Sequence, residues 1–158
     1  MSADPTDVHA AIEVCARFFA SIDDRDWQRF VDCLAPTVTT DFTELWGGEP
    51  NHDSAADLAA GWSRLFDGFT ATQHLVGGYT VTPTAPKPHD LVLSATFQAT
   101  HHGDDPFGSP TWTLYGTYRI GLDRTVDGAL RIAGVYQSPT MGVGNRNVVI
   151  RAVASTAA

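Results

Sequence analysis

At residue 72 the chain changes its period, and that change restricts the fold more than any other feature. Before it, apolar residues recur every three or four positions. Val8, Ile12, Cys15, Phe19 and Ile22 form one such set, Trp27, Phe30, Val31 and Leu34 a second, and Leu58, Trp62, Leu65, Phe66 and Phe69 a third. After it, apolar and polar residues alternate along four runs, at about 72–82, 91–103, 110–123 and 129–138. The first pattern lays an apolar stripe along a helix and the second gives a strand one apolar face. Three N-terminal helices packed on a curved, mostly antiparallel sheet, an α+β domain, is the expected fold. Such a sheet wrapped around a long helix encloses a cone-shaped cavity.

Local signals agree with that division. Asp4-Pro5 is a helix start, with a capping aspartate and a proline in the first turn. Asp26-Trp27 opens a short second helix, which Ala35-Pro36 is expected to stop. Residues 37–46 are rich in Thr, Val and Phe and read as a strand, broken by Gly47-Gly48-Glu49-Pro50. Ser54 with Asp57 resembles a capping box for the third helix. The Pro-rich stretch 83–88, the loop 103–108 and the hairpin signal Val126-Asp127-Gly128 link the four long strands. Residues 1–138 read as a single domain, and residues 139–158, without clear periodicity, as a mobile C-terminal tail.

Alternation says what faces inward. Leu93, Ala95, Phe97, Ala99 and His101 share a face, as do Trp112, Leu114, Gly116, Tyr118 and Ile120, and as do Leu130, Ile132, Gly134 and Tyr136. The opposite faces carry Thr, Gln, Ser and Arg. The aromatics Phe42, Trp46, Trp62, Phe66, Phe97, Trp112, Tyr118 and Tyr136 are core material first, and those left over suit the wall of a pocket for a small hydrophobic molecule.

Composition removes several function classes. Eighteen acidic residues face ten basic ones, for a net charge of −8, and Lys87 is the one lysine. Phosphate backbones and anionic membranes need clustered Lys or Arg, so neither is an expected partner. No apolar run approaches the roughly 20 residues of a membrane span. The start Met1-Ser2-Ala3-Asp4-Pro5 has no signal-peptide pattern, so a cytoplasmic location is expected. Cys15 and Cys33 fall on apolar helix faces and read as buried thiols. Six scattered histidines without HExxH, and no GxSxG, argue against a metal site and against a serine nucleophile.

Titratable groups among apolar neighbours are the remaining signal. His74 stands in Thr72-Gln73-His74-Leu75-Val76, and Asp23 in Ile22-Asp23-Asp24-Arg25-Asp26-Trp27. Brought together, the carboxylate would orient one imidazole nitrogen and leave the other to move a proton. Asp24 and Asp26 compete for the role of a simple helix-end residue. His101 and the adjacent His102 are further candidates, and alternation favours His101, which shares the Phe97 face.

These residues also carry a resemblance. Ile22 to Phe42, with Asp23, Asp26-Trp27, Cys33, Ala35-Pro36-Thr37 and Asp41, then Thr72-Gln73-His74 with Gly77-Gly78, and the region of His101, resemble the SnoaL-like branch of the nuclear-transport-factor-2-like (NTF2-like) superfamily. Within it the chain is most similar to scytalone dehydratase-type small dehydratases, over residues 10–138. The resemblance implies a cone-shaped α+β barrel, a cofactor-independent lyase or isomerase, and catalysis by His74, Asp23 and His101. It also implies a homo-oligomer, a dimer ahead of a trimer. The family's two water-holding tyrosines fall on Ile22 and Phe42, which donate no hydrogen bond. Expectation therefore stops at a small hydrophobic carbonyl compound. The alternatives are a cyclase-type tailoring enzyme of polyketide or terpenoid synthesis, or a non-catalytic ligand-binding or assembly module on the same fold.

Overall fold

The computed structural model describes residues 3–84 and 88–156. The middle of the Pro-rich link, 85–87, lies outside the described residues, as do the chain ends. Helix α1 (Pro5–Asp24) starts where Asp4 accepts a hydrogen bond from the Thr6 amide, 2.8 Å, with Pro5 in the first turn. Its stripe of Ala11, Val14, Cys15, Phe18, Phe19 and Ile22 is buried. Arg25 ends it in the left-handed region, φ 59°, its amide donating to the carbonyls of Ile22 and Ser21. A side chain costs roughly 1–2 kcal/mol in that conformation, and a turn this sharp sets Asp23 at a fixed corner. Asp26 then caps α2 (Trp27–Asp32) by accepting from the Arg29 amide, 3.0 Å.

The second helix ends before Ala35-Pro36, which lie inside strand β1 (Leu34–Asp41). That strand stops five residues earlier than the run of Thr, Val and Phe suggests. Phe42 leads instead into a one-turn helix, α3 (Thr43–Trp46), because Asp41 accepts hydrogen bonds from the Thr43 amide and hydroxyl. Gly47 and Gly48, at φ 74° and 80°, reverse the chain into a short strand without a sequence signature, β2 (Asn51–Ser54). Ser54 caps α4 (Ala55–Phe66) through the Asp57 amide, 3.1 Å.

Four long strands follow: β3 (Ala71–Pro83), β4 (Leu91–His102), β5 (Thr111–Arg124) and β6 (Leu130–Gly144). The sheet order is β2-β1-β6-β5-β4-β3. Only β1 and β6 run parallel; the other neighbours are antiparallel. The helices pack on one face of this open, curved sheet. The core fills the space between with Phe18, Phe30, Leu93, Ile120, Leu122 and Ile132, all essentially inaccessible to solvent. Cys15 and Cys33 are buried free thiols, and burial pushes Cys15 up to about 12.

Two readings of the C-terminal half are corrected. Within the stretch expected to be a mobile tail, residues 139–156 are ordered into elements: β6 continues to Gly144, and α5 (Asn147–Ser155) buries Val148, Val149 and Ala152. Tyr136 does not share the inner face with Ile132. Opposite Gly121 and Leu122 on β5, β6 pairs through Gly134 and Ile132, so Ala133 is an extra, bulged residue. A bulge shifts the alternation by one. Val135 and Gln137 therefore turn inward, and Tyr136 turns to the outer face beneath Arg119, whose guanidinium carbon is 5.3 Å from the ring centre.

Candidate active site

The cone encloses a cavity of about 270 Å³. Its wall comes from α1 (Phe19, Ile22), the segment around α3 (Phe42, Trp46), α4 (Trp62, Phe66) and the inner faces of β3 to β6. Trp46, 44% exposed, stands at the mouth beside Gly47, Glu49 and Asn51. Arg146 holds this rim to the start of α5. It donates to the Leu45 carbonyl, 3.1 Å, and stacks over Trp46.

His74 and Asp23 meet inside this wall. The His74 Nδ1 lies 2.7 Å from Asp23 Oδ1, and the His74 amide donates to Oδ2, also at 2.7 Å. The carboxylate thus grips both the backbone and the ring of one residue, and fixes where the imidazole points. Thr72, two residues earlier and on the same strand face, donates to Oδ1 at 3.0 Å. Arg25 in turn donates to Thr72 Oγ1, 2.9 Å, and to the Ile22 carbonyl, 2.6 Å. Burial pushes the Asp23 carboxyl up, but the hydrogen bonds and charge of His74, with the Thr72 hydroxyl, outweigh it and hold Asp23 below its usual range. In a neutral imidazole, a proton on Nδ1 shared with this carboxylate makes Nε2 the bare, accepting nitrogen.

His101, not His102, joins this group. Its ring is 6.0 Å from that of His74, nearly perpendicular, and packs against Phe69 and Trp112. Burial first, then the neighbouring His74, lower it from 6.5 to about 4, so it is neutral at pH 7. Its buried Nδ1 has no hydrogen-bond partner among the described residues. His102 points to the other side and shares a hydrogen bond with Thr111.

Of the wall residues expected from sequence, Ile22, Phe42, Trp46, Trp62, Phe66, Trp112 and Tyr118 line the cavity. Phe97 does not. It is buried behind Tyr118, ring centres 4.1 Å apart, in space kept open by Gly116, where a Cβ would meet the Phe97 ring at 2.9 Å. Tyr136 does not either, for the bulge that turned it outward. Sequence reading missed Arg25, Thr72 and Gln137. Thr72 was open to it through its two-residue spacing from His74, and Gln137 through Gly134, since a lone glycine inside a strand marks a bulge. Arg25 carries no such mark. Among the described residues no cluster of His, Cys, Asp and Glu side chains could hold a metal ion, and no helix is long and apolar enough to cross a membrane.

Solved structures share this architecture. The Kfla4162 protein of Kribbella flavida superposes with a TM-score of 0.82 at 23% identity, covering 93% of this chain and 99% of that one. A candidate aromatic ring hydroxylase of Novosphingobium aromaticivorans gives 0.77 at 16% identity, covering 94% and 99%. A candidate scytalone dehydratase of the same organism gives 0.68 at 13% identity, covering 89% and 88%. At such identities the likeness concerns the fold, and the fold is NTF2-like. A search of curated protein sequences finds no match. The profile of the SnoaL-like domain matches residues 4–135, five-sixths of the sequence, and the chain belongs to that family.

Proposed function

We propose that the protein is a dehydratase-type lyase, or an isomerase, that moves a proton on a small hydrophobic carbonyl compound. The observation that carries this reading is the 2.7 Å contact between His74 Nδ1 and Asp23 inside an apolar cavity. His74 Nε2 takes the proton from the carbon next to the carbonyl, and the electron pair of that C–H bond moves onto the carbonyl oxygen. Asp23 stabilises the imidazolium that forms. The enolate then collapses: the carbonyl is restored, a carbon–carbon double bond forms, and hydroxide leaves from the adjacent carbon with the proton from His74. One water is lost, and the step balances without a cofactor. His101, neutral at pH 7, serves as a hydrogen-bonding partner rather than as the acid. In the isomerase version the proton returns to a different carbon. The likeness in fold to a candidate scytalone dehydratase supports the lyase version.

The same reading proposes a cytoplasmic homodimer. The mechanism is tested by α-proton exchange. The protein is incubated with 1-indanone in deuterium oxide, and loss of the α-proton signal is followed by NMR. Exchange is expected with wild type and is expected to vanish with His74→Gln. No exchange above buffer, or exchange untouched by His74→Gln, would replace this reading with the ligand-binding one.

A further inference from the structure

One polar pair in the cavity has no part in the His74 group. Tyr118 on β5 and Gln137 on the bulged end of β6 both line the wall, at 4% and 8% exposure. Gln137 Nε2 donates to the Tyr118 hydroxyl at 3.0 Å. That bond uses the tyrosine oxygen as acceptor and leaves its own hydrogen uncommitted. Gln137 Oε1 is buried and has no partner among the described residues. A buried acceptor without a partner costs roughly 1–3 kcal/mol until something satisfies it, and the Tyr118 hydrogen is free to turn to a second acceptor. The pair is separated from His74 by Phe19, whose ring centre is 5.5 Å from that of His74 and 4.9 Å from that of Tyr118. A flat ligand lying across Phe19 reaches both.

We propose that Tyr118 and Gln137 form a clamp for a hydroxylated cyclic ketone. The Tyr118 O–H donates to the carbonyl oxygen, and Gln137 Oε1 accepts from a hydroxyl on a carbon one or two bonds away. The clamp rests on the proton-transfer reading only for which carbon reacts, since that reading needs a donor on the enolate oxygen. Ile22 and Phe42 cannot supply one. Trp62 and Trp112 line the cavity, but the Trp112 N–H edge lies over Gly142, where a Cβ would sit 2.9 Å from Nε1. Tyr118 stays protonated because burial pushes its hydroxyl far above the usual range. It is therefore a donor at any working pH. A donor aimed at developing oxyanion charge in a water-poor site is among the stronger catalytic devices.

The test compares indane, 1-indanone and 3-hydroxy-1-indanone by ligand-observed NMR. Wild type is expected to bind them in rising order of affinity. Tyr118→Phe is expected to remove about tenfold of the preference for 1-indanone over indane, and Gln137→Leu about tenfold of that for the hydroxyketone over the ketone, each read as a ratio of affinities within the same variant. Equal affinities in wild type, or preferences that survive both substitutions, would overturn the clamp. Should either variant fail to fold, the side-chain amide signals of Gln137 in wild type decide instead. A shift with the hydroxyketone but not with indane supports the clamp, and no shift overturns it. Selectivity without α-proton exchange sinks only the proton-transfer mechanism; exchange without selectivity sinks only the clamp.

Discussion

Asp23 accepts from the Thr72 hydroxyl, the His74 amide and the His74 ring, and the ring bond is the one that sets chemistry. Asparagine at this position keeps the shape but loses the charge. Its amide can donate to Nδ1 and so place the imidazole proton on Nε2, the nitrogen that must be bare to act as a base. Asp23→Asn is therefore expected to lower α-proton exchange by about 10²- to 10⁴-fold, measured by NMR in deuterium oxide. Because the Asp23 carboxyl is held below its usual range, its contribution to stability is present above the unfolded pKa and is lost as pH falls through the lower folded one. His101 acts in a separate, higher window. Its folded pKa of about 4 lies below the ordinary 6.5, so the unfolded chain binds the proton first. The stability it confers is complete above pH 6.5 and is lost as pH falls toward 4, by at most about 3 kcal/mol. Urea melts at pH 7, 5 and 4 check this. His101→Phe is expected to flatten the loss between pH 6.5 and 4, and a loss of equal size in the variant would assign the acid sensitivity elsewhere.

At the scale of the elements, the bulge at Ala133 decides which side chains of β6 enter the cavity. Beside it Gly121 and Gly134 face each other across β5 and β6, which leaves a bare patch on the outer face of the sheet. The His89 ring fills that patch, with Nε2 3.1 Å from the Tyr136 hydroxyl, and a Cβ on Gly121 would sit 2.2 Å from the ring. Gly121→Ala is expected to cost about 1–3 kcal/mol, read from thermal melts, while indane affinity stays at the wild-type value. An unchanged melting temperature would mean that His89 is not seated there. The same region shows what a sequence conceals. The helical and alternating periods place α1, α4 and β3 to β5 within a residue or two, because each buries a single face. They also bring His74 and His101 to the inner side. A bulge breaks alternation without altering composition, so Tyr136 and Gln137 exchange sides. The α3 turn escapes because one Asp41–Thr43 interaction outweighs the strand preference of its neighbours. Helix α5 escapes because it is short: its buried residues Val148, Val149 and Ala152 fall within little more than one turn and show no repeat, and packing on α4, β4 and β5 holds it in place.

At the scale of the whole molecule, the sheet has one face filled by helices and one face with none among the described residues. Across the uncovered face Leu75, Gln98, Tyr115 and Met141 stand in a row from β3 to β6, as consecutive cross-strand partners. Gln73, Thr100, Thr113 and Val143 form the next row. None of these eight is charged, in a chain with 28 acidic and basic residues, and Leu75, Met141 and Val143 are each more than half exposed. Solvated sheet faces usually carry charge, whereas the centres of interfaces are depleted in it and enriched in Tyr and Met. A patch that serves two identical chains must pair with itself about a two-fold axis. The row can do so, since reversing it sets Leu75 against Met141 and Gln98 against Tyr115. Light scattering is expected to give twice the 17.0 kDa chain mass at micromolar concentration. Leu75→Glu combined with Met141→Glu puts like charges where the two rows would meet and should yield a monomer. The cavity lies on the opposite face, so the monomer should still bind 1-indanone with wild-type affinity. A trimer mass would keep this face as an interface but remove the two-fold pairing. A wild-type monomer would leave the uncharged rows without a partner and overturn the dimer.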